Sequence, residues 1–61
     1  MTPSEFRAAI ERMGMDQRQA AGWLRVTEGA VSRWVNGLRP IPGPVVVLIE
    51  LALAQHEQAT R

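Results

Sequence analysis

Five positions between Glu28 and Asn36 hold the chemistry that most needs explaining in this chain of 61 residues. At about 100° per residue in a helix, Glu28, Gly29, Ser32, Arg33 and Asn36 fall on one arc, and Ala30, Val31, Trp34 and Val35 fall on the opposite one. The apolar arc must be buried against the rest of a small domain. The other arc then faces outward as a ridge of short, hydrogen-bonding and cationic groups. Such a ridge fits the major groove of DNA, which admits one α-helix and displays donors and acceptors on its base edges. The Arg33 guanidinium can grip O6 and N7 of guanine with two hydrogen bonds, worth about 1–3 kcal/mol of discrimination. Glu28 can accept from cytosine N4 but is repelled by phosphate, so it selects more than it attracts. Ser32 and Asn36 can bond either a base or the sugar-phosphate chain. Gly29 has no side chain to read with; it lets the helix sit deep or leaves one base pair unread.

The stretch Asp16 to Gly37 must position this ridge, and it reads as two short helices separated by a turn. Asp16 and Gln19 form a capping box that starts the first of them, with Met15 and Ala20 placed as a hydrophobic staple. Gln17 and Arg18 therefore sit at a helix N-terminus, where backbone N–H groups and the helix dipole favour a phosphate. Ala20, Ala21 and Leu24 face inward, and Trp23 lies along the helix edge toward the last helix. Gly22 weakens the helix by up to about 1 kcal/mol, for which close backbone approach is the expected reason. Thr27 caps the next helix and its hydroxyl can also reach a phosphate. Asn36-Gly37 supplies the stop. Trp34, at helical spacing from Val31, is a core residue rather than a stacking platform.

Gln17, Ala21, Val31 and Trp34 stand at the first, fifth, fifteenth and eighteenth places of this unit. A small residue at the fifth place lets two helices cross closely, and the last two anchor the second helix. The pattern resembles the Cro and C-repressor type of helix-turn-helix in phage and bacterial regulators, over roughly Phe6 to Leu53. The resemblance implies an all-α, compact four-helix domain of the lambda-repressor-like type, with the helix-turn-helix at its second and third helices. It also implies that Gln17 contacts backbone phosphate and that Glu28, Gly29 and Arg33 occupy the base-reading places, with Ser32 between them. The chain departs from the pattern at Arg25, where the family usually has glycine in a left-handed conformation; a side chain there costs about 1 kcal/mol.

Net charge is only +1, but its distribution is uneven. From Gln17 to Arg39, four arginines face one glutamate, a balance of +3; elsewhere three arginines face five carboxylates, a balance of −2. Concentrated positive charge suits phosphate contact, though a solvated face of an ordinary helical protein fits the charge alone equally well. With no cysteine and a single histidine, His56, neither disulfides nor a metal site is expected, nor is a cofactor or small-molecule ligand. The opening residues, MTPSEFRAAIER, contain no apolar block, so no signal peptide is expected, and the longest apolar run is far short of the ~20 residues that span a bilayer. A cytoplasmic protein without membrane partners follows as the expectation. No paired carboxylates, nucleophile with base, or phosphate loop can be assembled from Ser4, Ser32, the scattered acids and His56, so no enzymatic activity is expected.

One domain spanning 1–61 is expected, with helices at about 3–13, 17–24, 28–36 and 44–56. Thr2, Pro3 and Glu5 start the first, and Phe6, Ala9, Ile10 and Met13 follow at core spacing until Gly14. The connector LRPIPGP cannot be regular helix and holds Arg39 near the DNA backbone as a candidate phosphate clamp. This string, followed by a long apolar helix, is also loosely similar to anti-CRISPR-associated autorepressors. The last helix is apolar around nearly its whole circumference from Val45 to Ala54, and the tail from Gln55 to Arg61 is expected to fray. A chain this short has a marginal core, and the surplus apolar face suggests a homodimer, with Val46, Val47, Glu50 and Leu53 as candidate interface residues. These features together favour a sequence-specific regulator of double-stranded DNA, most simply a repressor on an inverted repeat. A protein-interaction or antitoxin-like module on the same scaffold is the alternative. The DNA-binding part of a recombinase would require a catalytic domain that these residues do not contain.

Overall fold

The computed structural model describes residues 1–59, so the expected fraying is addressed only as far as Ala59; Thr60 and Arg61 lie outside the described residues. Its elements are α1 (Pro3–Arg12), α2 (Gln17–Leu24), α3 (Glu28–Val35) and α4 (Gly43–Ala59), with no strand among the described residues. Two helices end one residue earlier than the hydrophobic pattern predicts, because Met13 and Asn36 act as caps. The last helix starts at Gly43 and continues to Ala59, beyond the expected end at residue 56.

Local chemistry sets the first three starts. The Thr2 hydroxyl accepts from the Glu5 N–H at 3.1 Å, while the Thr2 N–H donates to the Glu5 carboxylate at 2.8 Å. Asp16 and Gln19 repeat this reciprocal pairing at 2.7 and 3.0 Å, and Thr27 accepts from the Ala30 N–H at 3.1 Å. The Thr2 N–H, then the Thr2 hydroxyl, hold the Glu5 carboxyl below its ordinary value of 4.5. A lowered folded-state value means the cap contributes fully above that ordinary value and is lost as pH falls through the lowered one. Acidification below pH 4.5 is therefore expected to loosen the first turn of α1, seen as a pH-dependent shift of the Thr2 amide that Glu5→Gln abolishes.

All three of these helices also stop in the same way. At α1, Met15 N–H bonds Ile10 C=O at 3.0 Å and Gly14 N–H bonds Glu11 C=O at 2.9 Å; at α3, Leu38 bonds Arg33 at 2.8 Å and Gly37 bonds Trp34 at 3.3 Å. At α2, Val26 bonds Ala21 at 3.0 Å and Arg25 bonds Gly22 at 3.3 Å. Each is a Schellman pair, in which the residue past the helix turns left-handed. Glycine takes that position at Gly14 (φ 75°) and Gly37 (φ 72°), and Arg25 takes it at φ 60°.

α3 packs on both α1 and α2, and α4 leans chiefly on α1. The core consists of Phe6, Ala9, Ile10, Ala20, Ala21, Val31, Trp34, Val35 and Ile49, and it contains no buried polar or charged side chain. The Phe6 and Trp34 rings meet edge to face at 85°, with centroids 5.9 Å apart. Ala20 and Ala21 put only methyl groups at the α2 side of the core, which lets the two short helices approach. Met13, Met15, Leu24 and Ala30 pack against this cluster as half-buried supports. An ion pair between Arg12 and Glu57 joins α1 to the far end of α4. No helix is long and apolar enough to cross a membrane among the described residues.

Gly22 departs from expectation. A Cβ built there meets nothing within 4 Å, so no backbone approaches closely enough to demand glycine. Gly22→Ala is accordingly expected to stabilise the fold by about 0.8–1 kcal/mol, a rise in Tm of about 4–8 °C by scanning calorimetry. An unchanged or lower Tm would mean that Gly22 has a role this packing does not reveal.

Candidate nucleic-acid interface

The outward face of α3 has one exposed cation, Arg33, framed by smaller groups. Its guanidinium lies back over Gly29: a Cβ at position 29 would stand 3.8 Å from Nη2 and 4.0 Å from Cζ. The same point is 3.8 Å from the Thr27 Oγ1. Gly29 therefore leaves a smooth shelf at the start of α3, with a hydroxyl on one side and a guanidinium on the other. Thr27 accepts the Ala30 N–H on one lone pair of its hydroxyl oxygen, and its hydroxyl proton is left to donate outward. The first-turn N–H groups of α3 add partial positive charge beside them.

α2 brings its own N-terminus next to this shelf. Arg18 Nε lies 3.8 Å from the Glu28 carboxylate, with both side chains exposed. At that distance and exposure the pair adds little stability, so either partner can turn to a ligand at small cost. Gln17 is half-buried at the first position of α2. Thr27, Glu28, Gly29, Arg33 and Arg18 are thus gathered at the α2–α3 corner.

Asn36 and Ser32 are engaged with each other at the expected helix stop. The Asn36 amide nitrogen donates to the Ser32 carbonyl at 2.9 Å and to its hydroxyl at 3.2 Å. Asn36 thus serves first as the helix end, and contact with phosphate through its amide nitrogen requires breaking those bonds. Arg39 is exposed in the bend after α3. Arg7, Arg25, Arg33 and Arg39 have no carboxylate within ion-pair distance among the described residues, whereas Arg12 is paired with Glu57. Three of those four belong to the α2–α3 unit and its exit, where the charge is available to a polyanion.

Two further arginines, neither a candidate contact from the sequence, stand near this corner or at its turn. Arg7 on α1 lines, together with Gln17, Asp16, Glu11, Ile10, Met15 and Val35, a cleft of about 330 Å³ at the N-terminus of α2. Nothing in a linear pattern places position 7 beside position 17. Arg25 stands exposed at the left-handed turn. Its strain is real but small: Arg25→Gly is expected to raise stability by up to about 1 kcal/mol, measured by urea unfolding.

On α4 the four candidate interface residues divide between two faces. Leu53 packs against the core cluster, in register with Val45 and Ile49, and Val46 is half-buried on the same flank. The outward stripe passes through the candidates Val47 and Glu50 together with Leu48 and Leu51; Val47, Leu48 and Leu51 are 56%, 43% and 59% exposed. Comparison of the chain with protein-family profiles, with curated proteins and with solved structures finds no match in any of the three.

Proposed function

We propose that the chain is a sequence-specific DNA-binding regulator of the Cro and C-repressor type, with a lambda-repressor-like arrangement of its four helices. The observation that carries this reading is the pairing of a buried α3 face, Val31, Trp34 and Val35, with an outward face that offers an unpaired Arg33 over the Gly29 shelf. The α2–α3 corner supplies what a phosphate needs: two helix N-termini, the Thr27 hydroxyl and Arg18. Arg33 reads guanine, with Glu28 and Ser32 at the neighbouring base pairs, while Gln17, Arg18, Thr27 and Arg39 hold the backbone and set the register. Asn36 contributes only after giving up its bonds to Ser32.

The regulator acts in the cytoplasm as a homodimer joined through the outward stripe of α4, with Val47, Leu48 and Leu51 at its centre and Glu50 at its rim. Its two α3 helices enter successive major grooves about 34 Å apart, so the operator is an inverted repeat with half-sites about one helical turn apart. Repression follows by exclusion of RNA polymerase from an overlapping promoter. Selection from a random duplex pool tests this directly. The expected product is one inverted repeat with that spacing; a pool that shows no enrichment over several rounds would rule out sequence-specific reading.

A second reading rests on the same exposed stripe of α4. If the chain is an interaction or antitoxin-like module, Leu51→Glu abolishes activity and Arg33→Glu leaves it intact.

A further inference from the structure

Two of the chain's three methionines, its single histidine and one of its two tryptophans meet in one place. A cavity of about 400 Å³ is lined by Met13, Met15, Trp23, Ala52, Gln55 and His56. These residues come from the end of α1, the connection to α2, the outer face of α2, and α4. The left-handed Gly14 between the two methionines turns the chain so that the Met15 N–H returns to the Ile10 carbonyl, which keeps both methionines at the mouth of α1. Both are half-buried against the core, so their backbones are fixed while their thioether ends remain adaptable. Trp23 is 40% exposed, and His56 is exposed.

The donors at this cavity are chemically selective. Among the described residues it is lined by no carboxylate and no three His, Cys, Asp or Glu side chains gather anywhere, and the chain contains no cysteine. Calcium, magnesium and structural zinc therefore find no donor set here. The residues that line it carry two neutral sulfurs, one imidazole and one indole ring. Thioethers select Cu(I), imidazole suits the same ion, and an indole face attracts a cation placed over it. A single charge among neutral donors also needs less compensation than a divalent ion would.

We propose that this cavity binds a soft monovalent metal cation, Cu(I) or its redox-inert analogue Ag(I), through the Met13 and Met15 sulfurs and the His56 imidazole, with Trp23 beside it. The site shares no residue with the outward face of α3 and does not depend on the DNA-binding reading. It also joins α2 to α4.

The test is titration of the full chain with silver nitrate in chloride-free buffer at neutral pH, followed by calorimetry and by methyl NMR of the methionines. The expected result is saturable binding at about one ion per chain, with the Met13 and Met15 methyls and the His56 ring shifting together and Met1 unmoved. Zn(II) at the same concentration is expected to leave these signals in place. A Met13→Leu, Met15→Leu double variant, which nearly conserves volume, and His56→Gln, on an exposed surface, are each expected to weaken binding by about tenfold or more. Non-saturable uptake, shifts confined to Met1, or equal affinity in the native chain and both variants would overturn the proposal. Should the double variant fail to fold, unchanged affinity in His56→Gln overturns it alone.

Discussion

Phe6→Ala is expected to abolish the cooperative thermal transition of this chain. Phe6 is wholly buried and meets Trp34 edge to face at 5.9 Å, bringing α1 and α3 together at the centre of the core. Truncating a buried phenylalanine costs about 3–5 kcal/mol, as lost transfer energy and as a cavity that the surroundings fill only in part. The aromatic pair adds about 0.5–1.5 kcal/mol that alanine also forfeits. Against this stands a total stability of about 3–9 kcal/mol, at 0.05–0.15 kcal/mol per residue for a chain of this length. The loss is therefore of the same size as the margin itself. Phe6→Leu retains most of the volume and is expected to keep a transition at lower temperature. Circular dichroism melts decide the matter: a Phe6→Ala variant that melts cooperatively within a few degrees of the native chain would show that the core is not organised around this ring.

Arg33→Ala is expected to fold normally and, on the proposed DNA-binding reading, to lose discrimination between the selected operator and its variants at one base pair of each half-site. Arg33 is exposed and has no carboxylate partner among the described residues, so its removal breaks no ion pair there and opens no core. A bidentate guanidinium contact is worth about 1–3 kcal/mol, which is a loss of about 5- to 150-fold in preference for guanine at that position. Arg39→Ala should behave in a different way: binding weakens by a similar factor on all sequences, and the slope of log K against log salt becomes shallower by about one. The two variants thus separate reading from holding. Equal losses on operator and random duplexes with Arg33→Ala would reassign Arg33 to phosphate and leave specificity to Glu28 and Ser32.

The parts of the fold legible in the sequence are those governed by near neighbours. Thr2 with Glu5, and Asp16 with Gln19, announce two helix starts because each capping box is complete within four residues. The α3 faces were legible because Val31, Trp34 and Val35 repeat at helical spacing between polar neighbours. α4 offered no such contrast: it is apolar on all sides, so periodicity could not say that Leu53 turns inward while Val47 and Leu51 turn out. At Gly22 the residue type suggested a close approach that only packing could test, and packing leaves the space open. Asn36 is legible as the helix stop from the glycine that follows it, but its bonds to Ser32, one turn back, have no mark in the residue types. Arg25 is the converse case. Its side chain argues against a left-handed turn, yet the Schellman bonds at the end of α2 impose one. The neighbourhood of Met13, Met15 and His56 joins distant stretches of chain and leaves no linear trace.

The attachment of α4 chiefly to α1 has a consequence in time rather than in space. A helix held through Ile49, a few half-buried neighbours and the Arg12–Glu57 pair can detach while α1, α2 and α3 keep their mutual contacts. Amide hydrogen exchange along α4 should therefore proceed through partial openings of lower free energy than global unfolding, with protection highest near Ile49 and declining toward Ala59. The amides of Ile10, Ala21 and Val31 should exchange only when the whole chain opens. Anything that seats against α4 would then slow its exchange selectively, and the rate profile of this one helix would report occupancy of its outer surface.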